Sequence, residues 1–578
     1  MTVKNIYNRG LNFGVALVLL ISSFLYFQWV VPYHIYFKEQ IQLFVYDSSY
    51  VLSYFSKPAG IACLTADFLT QFLYLKGGGA IVISLLFVLT WLLIVRILYS
   101  FGIKQMASLW ALIPVITEWG IISEFYSSLA ISAAFALALL AIYIYILIRN
   151  KTVSLVLGIM FIPFLYWAVG SAMFLFPVFV LFYEIYKEKK RYLYWLGLLV
   201  LAAIIPYLLR SYFLITAFQA YFYPYLVIKQ ALCIYITAAI FFFASLKVLR
   251  KLRVTVLSFA ITAVFILVFG IGGLTLATDL NREKILGMAT EAYFDNWNEV
   301  LKIAEKSKQE NQIASYYTNI ALSKQMQLGE RMMEFYQPFV SGLFLPVNSD
   351  SGWLVILFSN DVFYYIGEMN MAQHSAMLGM SFSPYQRSSR MIRRLAEINI
   401  VSGDIQGAMK YIRMLEASLF HRKAAARLKA LASQPNNWLQ NKRNQIQTGD
   451  ILHSAFDLQS SLELLVKTNP DNRAALDYLL AFHLMNKNIP AFFNAYSAYY
   501  KDKTNYIPKM YAEALLIYFA GAKVKQEVLK EYPVSSGIVK DFMEYNRLYE
   551  SSNGNLELLR EKFPHTYWLF YHFATLKK

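Results

Sequence analysis

Nine apolar stretches crowd the first half of this chain, near residues 11–31, 79–99, 106–122, 127–148, 153–169, 171–186, 192–209, 225–246 and 254–278. Roughly 17–25 such residues in a helix cross the ~30 Å of hydrocarbon in a bilayer. Hydrophobic residues make up 58 % of the 578 and charged residues 15 %, against roughly 45–50 % and 25 % in an ordinary globular chain. Disorder, a disulfide-rich miniprotein and a purely cytosolic enzyme are excluded on those grounds.

The formal charge of +17 invites a nucleic-acid reading, but its distribution points to the membrane. Residues 1–278 carry a net +12, and the 300 residues that follow carry only +5. Loops rich in Lys and Arg stay in the cytoplasm. Alternate gaps between the apolar stretches hold 14 cations: Lys4 and Arg9; Arg96 and Lys104; Arg149 and Lys151; Lys187, Lys189, Lys190 and Arg191; Lys247, Arg250, Lys251 and Arg253. The other gaps balance Lys38, Lys57, Lys76, Arg210 and Lys229 against Glu39, Asp47, Asp67, Glu118 and Glu124. About nine spans with a cytoplasmic N-terminus satisfy this pattern, and residues 279–578 then lie outside. The 153–186 stretch counts as two spans because Val169-Gly170-Ser171 interrupts it. The first span lacks a small-x-small cleavage site and reads as a signal anchor. Cys63 and Cys233 are too few for a disulfide framework or a metal cage.

From Asp279 the pattern changes to charged, amphipathic helices. Gly403-Asp404 separates two such helices, with Leu395 and Ala408 facing inward, and Gly367-Glu368 precedes a similar segment containing Ala372. The two glycines are 36 residues apart, near the roughly 34-residue tetratricopeptide period. Asn469-Pro470-Asp471-Asn472 and Leu328-Gly329-Glu330 mark two further boundaries. The turn glycine and the small helix-B residue resemble the tetratricopeptide-repeat family, without its full aromatic and proline signature. The expected fold is all-α: a polytopic helical membrane domain over 1–278, with a long first outer loop at 32–78, then a soluble helical-repeat domain over 279–578.

The sequence contains no Walker A run, no dinucleotide fingerprint, no His-Glu-x-x-His and no Gly-x-Ser-x-Gly, and its seven histidines are scattered. No cofactor is evident. Gly77-Gly78-Gly79 reads as loop punctuation, and Gly270, Gly272 and Gly273 as sites of close helix packing. In the first outer loop, Ile41, Phe44, Val45, Ser48, Val51, Leu52 and Phe55 follow helical spacing, as for one helix lying in the interface plane. Glu118 and Glu124 flank the outer end of the third stretch, where acids face a cavity or a partner. Arg210, Lys229 and the aromatic run containing Tyr223 would suit a lipid-linked phosphate; the alternative is snorkelling cations and an interfacial aromatic belt.

Two resemblances bear on activity. Lys57-Pro58-Ala59-Gly60-Ile61, Phe68 to Tyr74 and Asn469-Pro470-Asp471-Asn472 resemble an uncharacterised bacterial family of polytopic membrane proteins, which implies the inner membrane and brings no activity. The layout also resembles the GT-C glycosyltransferases that carry tetratricopeptide repeats, although Glu39-Gln40 stands where they have paired acids. That resemblance implies sugar transfer from a polyprenyl-phosphate donor. Glu39 would be general base or ligand to a divalent metal, supported by Asp47, Asp67, Glu118 or Glu124, with Arg210, Lys229 and Tyr223 on the phosphate or lipid. The competing expectation is a non-catalytic cell-envelope scaffold, anchored in the lipid bilayer, whose repeats recruit a protein partner. Nucleic acid is expected in neither case.

Overall fold

The structure, a computed structural model, describes residues 3–125, 127–187, 192–224, 228–247, 255–446, 457–503, 505–522 and 531–575. Its regular structure is helical throughout, with no strand among the described residues. The chain divides into two compact units: Met1–Glu283 with Ala417–Phe420, and Lys284–Glu416 with His421–Lys578.

Five described segments of the first unit are long and apolar enough to cross a membrane: Gly10–Val30, Gly78–Ser100, Ala130–Leu147, Thr152–Tyr186 and Val256–Ala277. Shorter apolar helices occupy Ala107–Ser123, Leu196–Leu209 and Leu232–Ser245. Helix Gly78–Ser100 packs against Val3–Leu25, Leu112–Ser123 and Ala130–Leu147. Phe27, Phe87 and Trp119 form an aromatic triangle in that core, with centroids 5.9–6.2 Å apart. Tilted rings at this separation favour the contact of positive edge with negative face.

Helix Lys151–Val169 ends at Gly170, where a 3-10 turn over Gly170–Phe174 precedes helix Leu175–Tyr186. Gly170 has φ +62°, and a Cβ there would lie 2.4 Å from the Tyr223 carbonyl oxygen. Both the conformation and the space require glycine.

The 32–78 segment departs from the expected single interface helix. Helix Pro32–Gln40 stops, residues 41–47 are non-helical, and helix Ser48–Ser53 begins again on the Asp47 cap. The backbone reason is local. The Asp47 carboxylate accepts from the Tyr50 N–H at 3.2 Å, while the Tyr46 N–H leaves the helix to bond the Ala417 carbonyl at 2.7 Å. Leu43, Phe44 and Val45 are buried within the unit. Glu283 closes the start of Pro32–Gln40: its carboxylate accepts from the N–H groups of Tyr33, at 2.7 Å, and His34, at 3.0 Å, and pairs with the His34 ring. A carboxylate at a helix N-terminus complements the positive end of the helix dipole.

The glycines also behave differently from expectation. Gly78 and Gly79 do more than punctuate, because a Cβ on Gly78 would meet the Phe72 carbonyl at 2.4 Å and one on Gly79 the Ile35 side chain at 2.2 Å. Conversely, nothing lies within 4 Å of a Cβ on Gly272 or Gly273, and only Gly270 meets a neighbour, Ile116 at 3.5 Å. Helix Val256–Ala277 buries only Thr262, Ile266 and Gly270, so most of its surface contacts no other helix of the unit.

The second unit is built from packed helix pairs, including Trp297–Ser307 with Gln312–Lys324, Asn360–Ile366 with Met369–Ser381, Ser389–Ser402 with Ile405–Glu416, and Leu458–Thr468 with Arg473–Met485. Gly403, at φ +86°, turns the third pair, and Leu395 and Ala408 are fully buried in it. Gly367, at φ +96°, turns the second. Asn472 caps helix Arg473–Met485 and donates its side-chain amide to the carbonyls of Ile366 at 2.7 Å and Gln445 at 3.0 Å. Lys487, at φ +57°, and Lys308, at φ +43°, take the left-handed turn conformation that Gly367 and Gly403 take in the other two turns.

Gly367 and Gly403 differ in one respect that can be measured. A Cβ on Gly367 would lie 2.5 Å from the Gln445 carbonyl oxygen, whereas Gly403 has nothing within 4 Å. Gly403→Ala is expected to cost about 1–2 kcal/mol from left-handed strain alone. Gly367→Ala should cost clearly more in denaturant unfolding of the full-length protein in detergent; equal losses would refute the packing argument.

Candidate functional site

The acids of the 32–78 segment have distinct surroundings. Glu39 is buried in helix Pro32–Gln40. Its neighbour Lys38 donates its ammonium to the Ile122 carbonyl at 2.6 Å and to Ser127 Oγ at 2.7 Å. Burial pushes the Lys38 ammonium down to about 7, against the opposing pull of Glu124. Glu124 itself accepts from the Gln230 amide at 2.6 Å. Asp47 is an exposed helix cap. Asp67 is buried, accepts from the Tyr54 hydroxyl at 2.5 Å, and Tyr54 in turn shares a hydrogen bond of 2.5 Å with Tyr50. Burial pushes the Asp67 carboxyl up to about 7, with the Tyr54 bond acting the other way. Tyr223 is held above its ordinary value by burial, then by Cys63 and Asp67, which places its ring near that pair.

The remaining sequence candidates lie in other settings. Glu118 is fully buried on helix Leu112–Ser123. Arg210 stacks on Tyr207 of the helix it follows, 4.1 Å from the ring centroid, and donates to that hydroxyl at 3.2 Å. Lys229 is exposed. The structure thus groups Asp67 with Tyr54, Tyr50 and Tyr223, and Lys38 with Glu124. No group of three or more His, Cys, Asp or Glu residues able to hold a metal ion occurs among the described residues.

The second unit contains a cavity of about 280 Å³ whose chemistry is more concentrated. Helix Ser389–Ser402, capped by the Ser388 hydroxyl, supplies Arg390, Arg393, Arg394 and Glu397 to the lining. Arg390 pairs with Asp361 at 2.6 Å and donates to the Ala289 carbonyl and the Tyr317 hydroxyl, each at 2.9 Å. Arg394 reaches Asp361 and Glu397, both at 3.0 Å, and stacks 4.1 Å from the Tyr364 centroid. Arg393 pairs with Glu397 at 2.9 Å. Burial opposes the Asp361 charge, but Arg390 and Arg394 outweigh it and hold the carboxyl below the usual range.

Two lysines complete the lining, and Lys442 makes no ion pair among the described residues. Burial, then repulsion from Lys324 and Arg394, pushes the Lys442 ammonium down to about 7. Its Nζ donates to the Tyr365 carbonyl at 2.9 Å and Gln445 Oε1 at 3.0 Å, both neutral acceptors. Lys324 is also pushed down, chiefly by burial; its nearest acid is Asp295 at 3.9 Å, and it lies 4.6 Å from the Trp297 ring centroid. The cavity therefore holds an ammonium, that of Lys442, whose charge the neighbouring Lys324 and Arg394 disfavour, with aromatic faces beside it. An anion placed there would relieve the repulsion, and flat rings beside it would accommodate the body carrying it.

Sequence reasoning passed over this site. The Arg390, Arg393, Arg394 and Glu397 spacing of i, i+3, i+4 and i+7 puts all four on one helix face. That signal was present inside a run read only as repeat scaffold. Lys324 and Lys442 lie on separate helices 118 positions apart and carry no local signal.

The fold and its cavity define an all-helical protein that joins a unit of membrane-length helices to a helical unit with a cationic, aromatic recess. Over residues 7–574 it matches a family of unknown function, DUF6057, and it belongs to that family. No curated protein and no solved structure matches it, so the resemblance to GT-C glycosyltransferases finds no support there.

Asp361→Asn would leave Arg390 buried without a compensating charge, and about 3–5 kcal/mol of stability is the expected loss. Neutralising Glu416, which pairs with Lys429 on the surface, should cost less than about 1 kcal/mol. The Asp361 contribution is present above the ordinary carboxyl value of 3.8 and is lost as the pH falls below it, because the folded-state value is depressed. Denaturant unfolding of full-length variants at pH 7 and in acid checks both points.

Proposed function

We propose that this protein is a bacterial inner-membrane scaffold of about nine spans, with a cytoplasmic N-terminus, whose extracytoplasmic tetratricopeptide-like unit captures an anionic group on a partner. The observation that carries this reading is the half-buried Lys442, whose charge is disfavoured by the nearby Lys324 and Arg394 in the same cavity. A scaffold needs a recess that recognises; a transferase needs a base and a phosphate clamp about one bond. Glu39 is buried and Arg210 is engaged with Tyr207, which supports the scaffold over polyprenyl-phosphate sugar transfer. The 14 cations in alternate gaps and the break at Gly170 support the span count and orientation.

The topology has a direct test. A reporter active only in the cytoplasm, fused after Lys578, is expected to stay silent; activity would place the second unit inside.

Anion capture can be followed by tryptophan fluorescence, because Trp297 and Trp438 line the cavity. Citrate or inorganic phosphate, titrated into the full-length protein in detergent, should change the emission saturably. Lys442→Met should weaken binding by about tenfold at pH 6, equivalent to roughly 1.4 kcal/mol. The wild-type affinity should be flat below the Lys442 value of about 7 and weaken above it, because the bound anion requires the protonated ammonium. No saturable response to either anion, or a response unchanged in Lys442→Met, would remove the basis for this function.

A further inference from the structure

The cationic cavity of the second unit does not end at its own wall. A second recess, of about 490 Å³, adjoins it, and the two share Asp295, Trp297 and Lys324 as lining. The result is one continuous site with two chemically different ends. At the cavity end, five cationic side chains face three acids, a surplus of two. A void of roughly 150 Å³ admits benzene, so the cavity's 280 Å³ holds one substituted six-membered ring. Trp438, on helix Asn437–Arg443, lines this end and keeps 48 % of its surface exposed. Trp297 is half-buried where the ends meet, its indole N–H donating to Asp295 at 3.3 Å.

The other end adds Asn296, Asn298, Glu299 and Gln325. Gln325 donates its amide to Asn298 at 2.6 Å, and Asn296 donates to Glu291 at 2.8 Å. An amide has two donors and an acceptor, so each retains bonding capacity after that contact. Glu299 pairs with Lys302 at 2.5 Å, and Asp295 beside it disfavours a second anion. Among the described residues lining this end, Trp297 is the one apolar side chain, so nothing here receives the apolar side chains of a peptide.

A ligand that suits both ends carries its charge on one side, presents an apolar ring face, and bears groups that both donate and accept. Pyranose sugars do this: their axial C–H bonds form an apolar face, and each hydroxyl donates once and accepts twice. Aromatic walls with a few placed polar groups are the usual lining for such molecules. The cation surplus falls to one when Lys442 gives up its proton, at about 7. One carboxylate then leaves no unbalanced charge in the wall, whereas a doubly charged phosphate does.

We infer that the two recesses form one binding site for a saccharide that contains a uronic acid, the charged sugar in the cavity and a neutral sugar in the polar recess past Trp297. The inference rests on the anion capture proposed above and names the class of partner captured. Lys442 and Lys324 meet the carboxylate, Trp438 offers its ring to the sugar face, and Asn298 and Gln325 bond the hydroxyls of the neutral sugar.

Tryptophan fluorescence of the full-length protein in detergent, titrated with matched probes, tests the site. Glucuronate should bind about tenfold more tightly than acetate, and neutral glucose more weakly than glucuronate. The disaccharide of glucuronate and N-acetylglucosamine should gain about a further tenfold, equivalent to roughly 1.4 kcal/mol. Asn298→Ala and Gln325→Ala should each cut that gain about fivefold, with thermal unfolding confirming that both variants are folded. If acetate binds but glucuronate binds no more tightly, the saccharide assignment falls while anion capture stands. It falls likewise if glucose 6-phosphate outbinds glucuronate, or if an acidic tripeptide of the same charge matches the disaccharide. A disaccharide gain that survives both amide variants would overturn the two-ended site. Absence of saturable binding by every anion, plain or sugar-borne, would instead sink anion capture itself and this site with it.

Discussion

Hydrocarbon offers no water to a peptide group, so each backbone donor and acceptor within it must be satisfied by the segment that carries it. The first unit answers with helices, and at three of its departures from the regular helix another group takes the bond. At Gly170 the Tyr223 carbonyl receives the Ser171 N–H at 3.1 Å. At residue 46 a carbonyl from Ala417 does the same. Where Pro32 restarts the chain, the Glu283 carboxylate takes two N–H groups that the helix cannot satisfy.

The second unit faces the same requirement with charges instead of peptide groups. Asp361 is buried, and two guanidiniums and a tyrosine hydroxyl share its oxygens. Each guanidinium that lines the cavity is paired with at least one acid, which fixes the geometry of the wall. The lysines are left as the responsive part. The division of labour follows from chemistry: a guanidinium is planar, forked and always charged, while an ammonium shifts its protonation readily on burial.

The helical class, the apolar segments and the break near residue 170 were legible in the sequence because each is a local pattern. Periodicity also located the Gly403 turn and the inward Leu395 and Ala408. The 32–78 segment was misread for a physical reason. Its apolar spacing fits a helix, but Asp47 makes a better cap than interior residue, and Tyr46 finds a distant carbonyl. Gly78 and Gly79 were read as loop when their function is to admit the Phe72 carbonyl and the Ile35 side chain, partners known only after folding. Among the candidate acids, spacing could not separate Asp47, an exposed cap, from Asp67, a buried acceptor. The lysine pair of the cavity was invisible because proximity between residues 324 and 442 is a product of the fold alone.

The placement of Ala417–Phe420 has a consequence for how the protein is made. These four residues belong to the compact unit that otherwise ends at Glu283. The Phe420 ring stacks on Tyr74 at 6.2 Å and meets Phe72 edge-on at 5.5 Å. A ribosome must therefore travel well over a hundred codons past the last apolar helix before the first unit has all its parts. At roughly 5–20 residues per second that is a delay on the order of ten seconds. During it, the faces of Phe72 and Tyr74 that meet Phe420 wait for their partner, and the first unit stays unfinished until a segment far along the chain arrives.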